Sequence, residues 1–272
     1  NRCAYCRIRL ARGPSVSLPA DEVISRIRDI ENAGWAEVVL TGVNLSHYRS
    51  DGGDFASLLA RALSDTNRLA FRVSSLYPER VDDELLPLLA HPRVRPHFHL
   101  SIQSGSDRVL RAMRRPYTAS SVRDAITRLR SAKDDPFIAC DLITGFPGET
   151  DEDFRETVEL ARESRFAWIH AFPFSPRPGT EAWSMRPRVP ERIAGERAAA
   201  LAKLAEEGSR AYVSGWIGRS VEAVVERGGE TGARILTENY LTLEIPGGSG
   251  KPGEAVRVRI TGPETASIEN YG

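Results

Sequence analysis

Cysteine and lysine are scarce in this chain of 272 residues, and each scarcity carries information. Three cysteines are too few for the paired disulfide framework of a small secreted domain, so we expect a reducing, cytoplasmic location. Only three of the 37 basic residues are lysine, which leaves 34 arginines with planar heads suited to bidentate phosphate binding. The formal net charge is zero, so the overall charge does not predict a nucleic-acid partner, although it is compatible with a local basic surface.

Other absences narrow the class of protein further. No apolar run of 18 residues and no signal peptide occur, so we expect no membrane partner. No Gly-x-Gly-x-x-Gly turn follows the strand-like runs in the first two thirds of the chain, which argues against a doubly wound dinucleotide-binding sheet. The composition, 41% hydrophobic and 27% charged, is otherwise that of an ordinary globular protein.

Strand-like and helix-like segments alternate five times along the first two thirds of the chain. Apolar runs predict strands at 36–44, 69–75, 97–105, 136–146 and 167–175. Amphipathic segments predict helices at 21–32, 55–62 and 82–90, around 122–129, and from 151 onward. This alternation is typical of a parallel sheet with helical crossovers, and the length favours a wholly or partly closed β/α barrel.

The residue pattern of the sequence changes near Gly215. A long helix is predicted from 188 to about 215, and short β-rich runs separated by glycine pairs follow it. That pattern predicts a small all-β barrel. We therefore expect two domains, 1–215 and 216–272.

Polar, glycine-containing turns follow the predicted strands. They are TGVN at 41–44, SIQSGS at 101–106, GFPGET at 145–150 after the strand that carries Asp141, and FPFSPRPGT at 172–180. Active sites of parallel β/α folds lie where the strands end, on the carboxyl side of the sheet. Together these turns predict a pocket for a polar small molecule at that rim.

Cys3 and Cys6 form a Cys-x-x-Cys pair whose partner the spacing alone leaves open. Half of a zinc site, an incidental pair and a redox pair are the alternatives. No second Cys-x-x-Cys pair is present to complete a zinc site, and an arginine-rich loop is expected to follow where a redox pair would have a helix. Cys140 lies in a predicted strand and is expected to pack in the core. His97 and His99 share one strand face, where a structural role without metal is expected.

Five segments in this order resemble the methylthiotransferase branch of the radical S-adenosylmethionine (radical SAM) superfamily. They are the Cys-x-x-Cys pair, TGVN, SIQSGSDRVLRAMRRPYT, DLITGFPGET and FPFSPRPGT. The resemblance covers nearly the whole chain, because those enzymes end in a small RNA-binding β-barrel, the TRAM domain. It implies an α/β fold, a partial (β/α) TIM-like barrel of the radical SAM type, followed by an all-β TRAM barrel.

The chain departs from the family pattern at its start. The family motif is C-x3-C-x2-C, and only its last two cysteines are present, the first falling two positions before Asn1. The family's N-terminal domain and first barrel strand are also absent. We therefore expect the chain to be part of a longer protein, to hold no complete cluster and to be inactive alone.

The resemblance implies a role for many of these residues. Cys3 and Cys6 would be ligands of a [4Fe–4S] cluster, one of two in the full-length family members, and the cofactor would be S-adenosyl-L-methionine. The implied cofactor-binding residues are Tyr5, Thr41, Gly42, Asn44, Ser101, Gln103, Asp141, Gly145, Phe146, Gly148, Phe174 and Ser175. Reductive cleavage of the cofactor would start a radical reaction that replaces hydrogen by a methylthio group.

Basic and aromatic residues suggest how an RNA substrate would bind. The predicted RNA-binding residues are Arg7, Arg9, Arg12, Arg114, Arg177, Arg234 and Tyr240. Arginines 108, 111, 114 and 115 would share one helix and its exit, as a solvated face or as a phosphate-binding rim. The implied partners are tRNA and an electron donor such as flavodoxin or ferredoxin.

The segment TGVNLSHY most resembles the corresponding segment of the enzymes that modify threonylcarbamoyladenosine beside the tRNA anticodon, at C2 of the base. Isopentenyladenosine in tRNA and an aspartate of a ribosomal protein are alternative substrates of the same family. A hypothesis of another class is a non-catalytic RNA-binding scaffold.

Overall fold

The computed structural model describes residues 3–229, 232–248 and 250–269, except for the side chain of Arg9. The helices of this part are α1 (Ile8–Arg12), α2 (Ala20–Asn32), α3 (Phe55–Ser64), α4 (Leu86–Leu89), α5 (Asp107–Ala112), α6 (Ala119–Ala132), α7 (Asp151–Ser164) and α8 (Glu191–Trp216). The strands are β1 (Glu37–Leu40), β2 (Ala70–Val73), β3 (His97–Gln103), β4 (Phe137–Thr144), β5 (Trp168–Pro173), β6 (Ser220–Gly228), β7 (Gly232–Thr237), β8 (Thr242–Pro246), β9 (Ala255–Ile260) and β10 (Ala266–Ile268).

The first five strands are parallel and follow one another in chain order. Strand β1 pairs with β2, and β3, β4 and β5 form a second ladder. Isolated bridges from Phe71 to Val94 and from Leu76 to Leu100 join the two ladders. Sequential order without reversal is that of a barrel rather than of a doubly wound sheet, so the predicted partial β/α barrel is confirmed.

Helix starts follow local side-chain chemistry. Thr118 and Thr150 each cap their helix through a capping box, in which the threonine oxygen accepts from the third residue's backbone N–H. The apolar faces of α3 and α6 pack with the outward faces of the strands in one core. This core fixes the strand ends that carry the polar turns.

Two predicted segments differ from the structure. The arginine-rich stretch after Cys6, expected as a loop, contains the short helix α1. The helix expected at 82–90 is reduced to α4, because Pro87 lies in its first turn. A proline ring in a helix clashes with the carbonyl four residues before it, which opposes extension of α4 toward the N-terminus.

The last five strands form an antiparallel sheet of order β10-β9-β6-β7-β8. The Glu244 backbone N–H donates to the carbonyl of Glu264 at 2.8 Å, and Glu244 bridges Thr265, so the sheet is nearly closed. Its interior is apolar and continuous with Phe137 and Ala139 of β4. The expected small all-β barrel is confirmed.

A buried charge network joins the two barrels. Glu37 accepts from Arg72 and from Arg95, each through Nε at 2.8 Å, and all three side chains are nearly inaccessible to solvent. Arg95 also pairs with Glu222 at 2.8 Å, and Arg72 donates to the backbone carbonyl of Glu238. Because one carboxylate serves two buried guanidinium groups, Glu37 is the centre of this network.

Above this network, His97 of β3 stacks on Tyr240 of the small barrel, with ring centroids 3.7 Å apart. The His97 side chain is buried, and its Nδ1 has no hydrogen-bond partner. Burial, and then the positive charge of Arg72, hold the pKa of His97 well below its usual range. The imidazole is therefore neutral in the folded protein.

Acidification is expected to weaken this interface. A histidine with a depressed folded-state pKa takes up its proton more readily when unfolded, so stability falls as the pH drops below about 6.5. The slope is at most about 1.4 kcal/mol per pH unit for one group. His97→Phe keeps the stacked ring and removes the proton site, so urea unfolding from pH 7.5 to 5.5 should show a shallower loss than wild type. Equal losses in both proteins would contradict this assignment.

Candidate active site at the cysteine loop

The loop carrying Cys3 and Cys6 is held against the carboxyl rim of the barrel. Both thiols are half-buried and unpaired. Between them, the Ala4 N–H donates to the carbonyl of Met113 at 3.1 Å, and the Ala4 carbonyl accepts from Ala182 at 2.9 Å. These two backbone contacts fix the loop to the end of α5 and to the 3-10 turn at Glu181–Trp183.

A hollow of about 450 Å³ opens beside this loop. Its lining residues are Tyr5, Cys6, Arg7, Ile8, Ile143, Phe172, Pro173, Phe174, Ser175 and Arg177. The structure thus brings the cysteine loop together with the turn after β5. One wall offers a thiol and aromatic rings, and two arginines stand at the edge, which suits a ligand with both apolar and anionic parts.

Aromatic side chains support the floor of the hollow. Phe146 is fully buried and lies edge-on to Tyr5 at 6.4 Å and to Phe174 at 5.3 Å between ring centroids. It therefore packs beneath the hollow instead of opening into it. Edge-to-face pairs of this kind fix ring orientation.

The other predicted cofactor residues lie on neighbouring strand ends, outside this hollow's lining. Thr41 and Gly42 are exposed after β1, and Asn44 accepts from the Ser46 N–H at 2.9 Å. Ser101 is half-buried, whereas Gln103 is buried at the end of β3 with a φ of 76°. A left-handed backbone at a buried glutamine is strained, and such strain clusters at functional sites.

The β4 turn is shaped by a close contact with α8. Gly145 has a φ of 73°, and a Cβ there would lie 2.4 Å from the Cβ of Ala194, so glycine is required. Gly148 accepts from Arg108 through its carbonyl. Asp141 is half-buried inside the barrel, 3.2 Å from Nε2 of His99.

Arg115 lies directly under the cysteine loop, contrary to the rim position considered from the sequence. Helix α5 ends in a Schellman turn: Arg114 is left-handed with φ 58°, and the Arg115 N–H donates to Leu110 at 2.9 Å. This turn directs Arg115 inward, and its side chain is 8% exposed. Its Nη2 donates to the hydroxyl of Tyr5 at 2.6 Å.

Burial raises the pKa of the Tyr5 hydroxyl above its usual range, although Arg115 lowers it in part. The phenol is therefore protonated at neutral pH while its oxygen accepts from Arg115. The Tyr5 hydroxyl therefore carries no negative charge that could balance the positive charge of Arg115.

The predicted RNA-binding residues are spread over two surfaces. Arg7 and Arg177 are exposed in the lining of the hollow, Arg12 is exposed at the end of α1, and the side chain of Arg9 lies outside the described residues. Arg114 pairs with Glu181 at 2.8 Å. On the small barrel, Arg234 pairs with Glu226 at 3.1 Å, and Tyr240 is 42% exposed beside its stack on His97.

Sequence reasoning missed the two buried charge systems. Glu37 and Arg72 lie within predicted strands and Arg95 lies just before one, and nothing in the residues around them indicates that they pair with one another. Arg115 was grouped with its exposed neighbours, because a left-handed turn after a helix leaves no residue signature when arginine rather than glycine adopts it.

Comparisons with known proteins decide the family. The family model described as the radical SAM superfamily matches residues 1–161. The chain belongs to the radical SAM superfamily. It is 55% identical over 261 residues to the threonylcarbamoyladenosine tRNA methylthiotransferase MtaB of Treponema pallidum, covering 95% of this chain and 54% of that protein. It is 34% identical to the tRNA-2-methylthio-N(6)-dimethylallyladenosine synthase of Paracoccus denitrificans, covering 95% and 60%.

Solved radical SAM structures share the fold at low identity. The methyltransferase TsrM from Kitasatospora setae gives a TM-score of 0.55 at 18% identity, covering 67% of this chain and 36% of that one. Methylornithine synthase PylB gives 0.53 at 15% identity, covering 77% and 59%. The chain spans between half and two thirds of the length of the two curated relatives named above.

The cysteine loop of this radical SAM chain fits an iron–sulfur cluster in part. It supplies two soft thiolate ligands beside a hollow and a buried cation. Cys140 is fully buried in the core, as expected, and cannot join them. Within the described residues no group of three or more His, Cys, Asp or Glu side chains could hold a metal ion. In the same residues, no helix is long and apolar enough to cross a membrane.

Proposed function

We propose that this protein is a radical SAM tRNA methylthiotransferase that adds a methylthio group to C2 of threonylcarbamoyladenosine beside the anticodon. The observation that carries the proposal is the hollow where Cys6, the aromatic rings of Tyr5 and Phe174, and the cations Arg7 and Arg177 meet. The names of the relatives, above all the one at 55% identity, support the same reaction.

In this proposal, some residues at the hollow bind the cofactor and others bind the substrate. Cys3 and Cys6 would be ligands of a [4Fe–4S] cluster, and Tyr5 and Phe174 would contact S-adenosyl-L-methionine. The bound cluster would supply the electron for reductive cleavage of the cofactor's sulfonium, and a flavodoxin or ferredoxin would be the electron donor. Arg7 and Arg177 bind tRNA phosphates at the edge, because guanidinium groups pair with phosphate in a bidentate manner.

The same proposal divides the chain into a radical SAM core, 1–215, and a TRAM-like RNA-binding domain, 216–272. The end of α8 at Trp216 and the start of β6 at Ser220 support this boundary. A tRNA substrate places the protein in the cytoplasm.

The identity of the modified nucleoside is tested by mass spectrometry of tRNA nucleosides from a deletion strain. Loss of 2-methylthio-threonylcarbamoyladenosine, restored by the complete gene, is the expected result. Loss of the dimethylallyladenosine derivative instead would assign the function of the Paracoccus relative. If neither nucleoside changes, the methylthiotransferase proposal for tRNA is wrong, and a ribosomal-protein substrate or a scaffold role takes its place.

Arg7 and Arg177 are expected to contribute to tRNA affinity through phosphate contacts. Each phosphate contact adds about 0.7 to 0.9 to the slope of log affinity against log salt. The double variant Arg7→Ala, Arg177→Ala should therefore bind tRNA more weakly, with a slope shallower by about 1.5. The matched control is Arg192→Ala on the exposed face of α8, which should bind like wild type. An unchanged slope in the double variant would contradict the phosphate role.

A further inference from the structure

Four arginines are buried in the described part of the chain, and three of them face a carboxylate. Arg72 and Arg95 share Glu37, and Arg197 pairs with Glu149 at 2.6 Å. Arg115 is as deeply buried but makes no ion pair within 4.0 Å with an Asp or Glu of the described residues, although it lies near enough to the carboxyl of Glu79 to lower that group's pKa in part. A buried charge without a counter-ion is costly, so such a residue points to an anion from elsewhere.

The surroundings of Arg115 are aromatic on three sides. Its guanidinium carbon lies 4.9 Å from the ring centroid of Tyr77, 5.7 Å from that of Tyr5 and 5.8 Å from that of Tyr117. These rings hold the cation without neutralising it. One nitrogen donates to Tyr5, while Nε and Nη1 are buried with no hydrogen-bond partner. Two donors are thus preorganised and unused.

Besides Glu79, the cysteine loop is a source of negative charge near Arg115. Tyr5, which accepts from Arg115, lies between Cys3 and Cys6, and Ala4 is bonded to Met113 two residues before Arg115. Thiolates that ligate iron are anionic, and the potential of an iron–sulfur cluster depends on local charge and on hydrogen bonds to its sulfurs.

We propose that Arg115 is the buried counter-cation of the iron–sulfur cluster held by the Cys3–Cys6 loop and that its charge raises the reduction potential of that cluster. This inference rests on the proposed function, because it requires that a cluster binds. Reduction adds one electron, and therefore one negative charge, to the cluster. A fixed positive charge nearby favours that state, and Arg115 itself neither gains nor loses an electron or proton.

The test is an anaerobic redox titration of the complete gene product, reconstituted with iron and sulfide. Titanium(III) citrate is the reductant, and the reduced cluster is followed by electron paramagnetic resonance. Arg115→Met removes the charge at similar volume, and Arg115→Lys restores it. The control is Arg111→Met, which changes an exposed arginine of α5, the helix that precedes Arg115. In a preparation that holds a second cluster, each signal is assigned with the Cys6→Ala variant.

The expected result is a lower potential in Arg115→Met, with the reduction equilibrium shifted about tenfold, or about 59 mV for one electron. Arg115→Lys should restore most of that shift, and Arg111→Met should match wild type. An unchanged potential in an Arg115→Met protein that retains its cluster would overturn the inference while leaving the proposed function intact. A wild-type protein that binds no cluster would overturn both.

A purely structural role for Arg115 predicts different results. It would lower the melting temperature of Arg115→Met without moving the potential, which overturns the inference. If Arg115→Met folds by circular dichroism but loses its iron, Arg115→Gln is measured as a second neutral variant. Iron loss in both neutral variants, with normal iron in Arg115→Lys, supports the counter-cation, and iron loss in all three overturns it.

Discussion

The variants Cys3→Ala and Cys6→Ala of the complete gene product are expected to lose the cluster of this loop and to abolish tRNA methylthiolation. Each substitution removes one of the two thiolates that the loop contributes, and neither Cys140 nor any other described group can replace it. Iron content, the charge-transfer absorption of the reconstituted protein and the modified nucleoside in a complemented deletion strain measure the loss. All three should fall, the nucleoside to the deletion background.

Cys140→Ala is the matched control for these variants. Its thiol is fully buried in β4, and burial raises its pKa well above the usual range, so it is a neutral packing group. It should reduce stability slightly and leave iron content unchanged. Normal methylthiolation by Cys3→Ala or Cys6→Ala would refute the assignment of the cysteine loop.

Removing the carboxylate of Glu37 is expected to have the largest effect on stability. Glu37→Ala leaves Arg72 and Arg95 buried and facing each other without their shared partner. Breaking one partner of a buried ion pair typically costs about 3 to 5 kcal/mol. Because the same arginines bond to the small barrel through Glu222 and the backbone of Glu238, the loss should also loosen the contact between the barrels.

Urea unfolding at neutral pH measures this effect, and limited proteolysis between the barrels reports the loosened contact. Glu196→Ala removes an exposed carboxylate that pairs with Arg192 on α8, and exposed pairs contribute about 0 to 1 kcal/mol. A loss below about 1 kcal/mol for Glu37→Ala, equal to that control, would show that the network is not a structural link.

The parallel barrel was predictable because its signals are local and repeated. Short apolar runs followed by polar turns mark β3 and β4, and the capping threonines mark the starts of α6 and α7. The turn at Gly145 could also be predicted, since a strand end followed by glycine is a local signal, although the contact with Ala194 that excludes a larger residue there could not.

What could not be predicted depends on contacts between distant residues. The burial of Arg115 follows from a left-handed turn at Arg114, and the partner of Tyr240 is a histidine of the other barrel. Neither is encoded in the periodicity around these residues. Glu37 looks like an ordinary strand residue until Arg72 of β2 and Arg95, just before β3, converge on it. Convergence of this kind is set by topology.

We propose that the cysteine loop and the rim of this chain serve an S-adenosylmethionine-dependent methylthiolation of tRNA. The most direct test incubates the reconstituted complete gene product anaerobically with reductant, tRNA from the deletion strain and S-adenosylmethionine carrying a deuterated methyl group. We predict that threonylcarbamoyladenosine in that tRNA gains one sulfur atom and one labelled methyl group. A protein that holds its full iron and cleaves the cofactor, yet leaves every tRNA nucleoside unlabelled, would contradict the account.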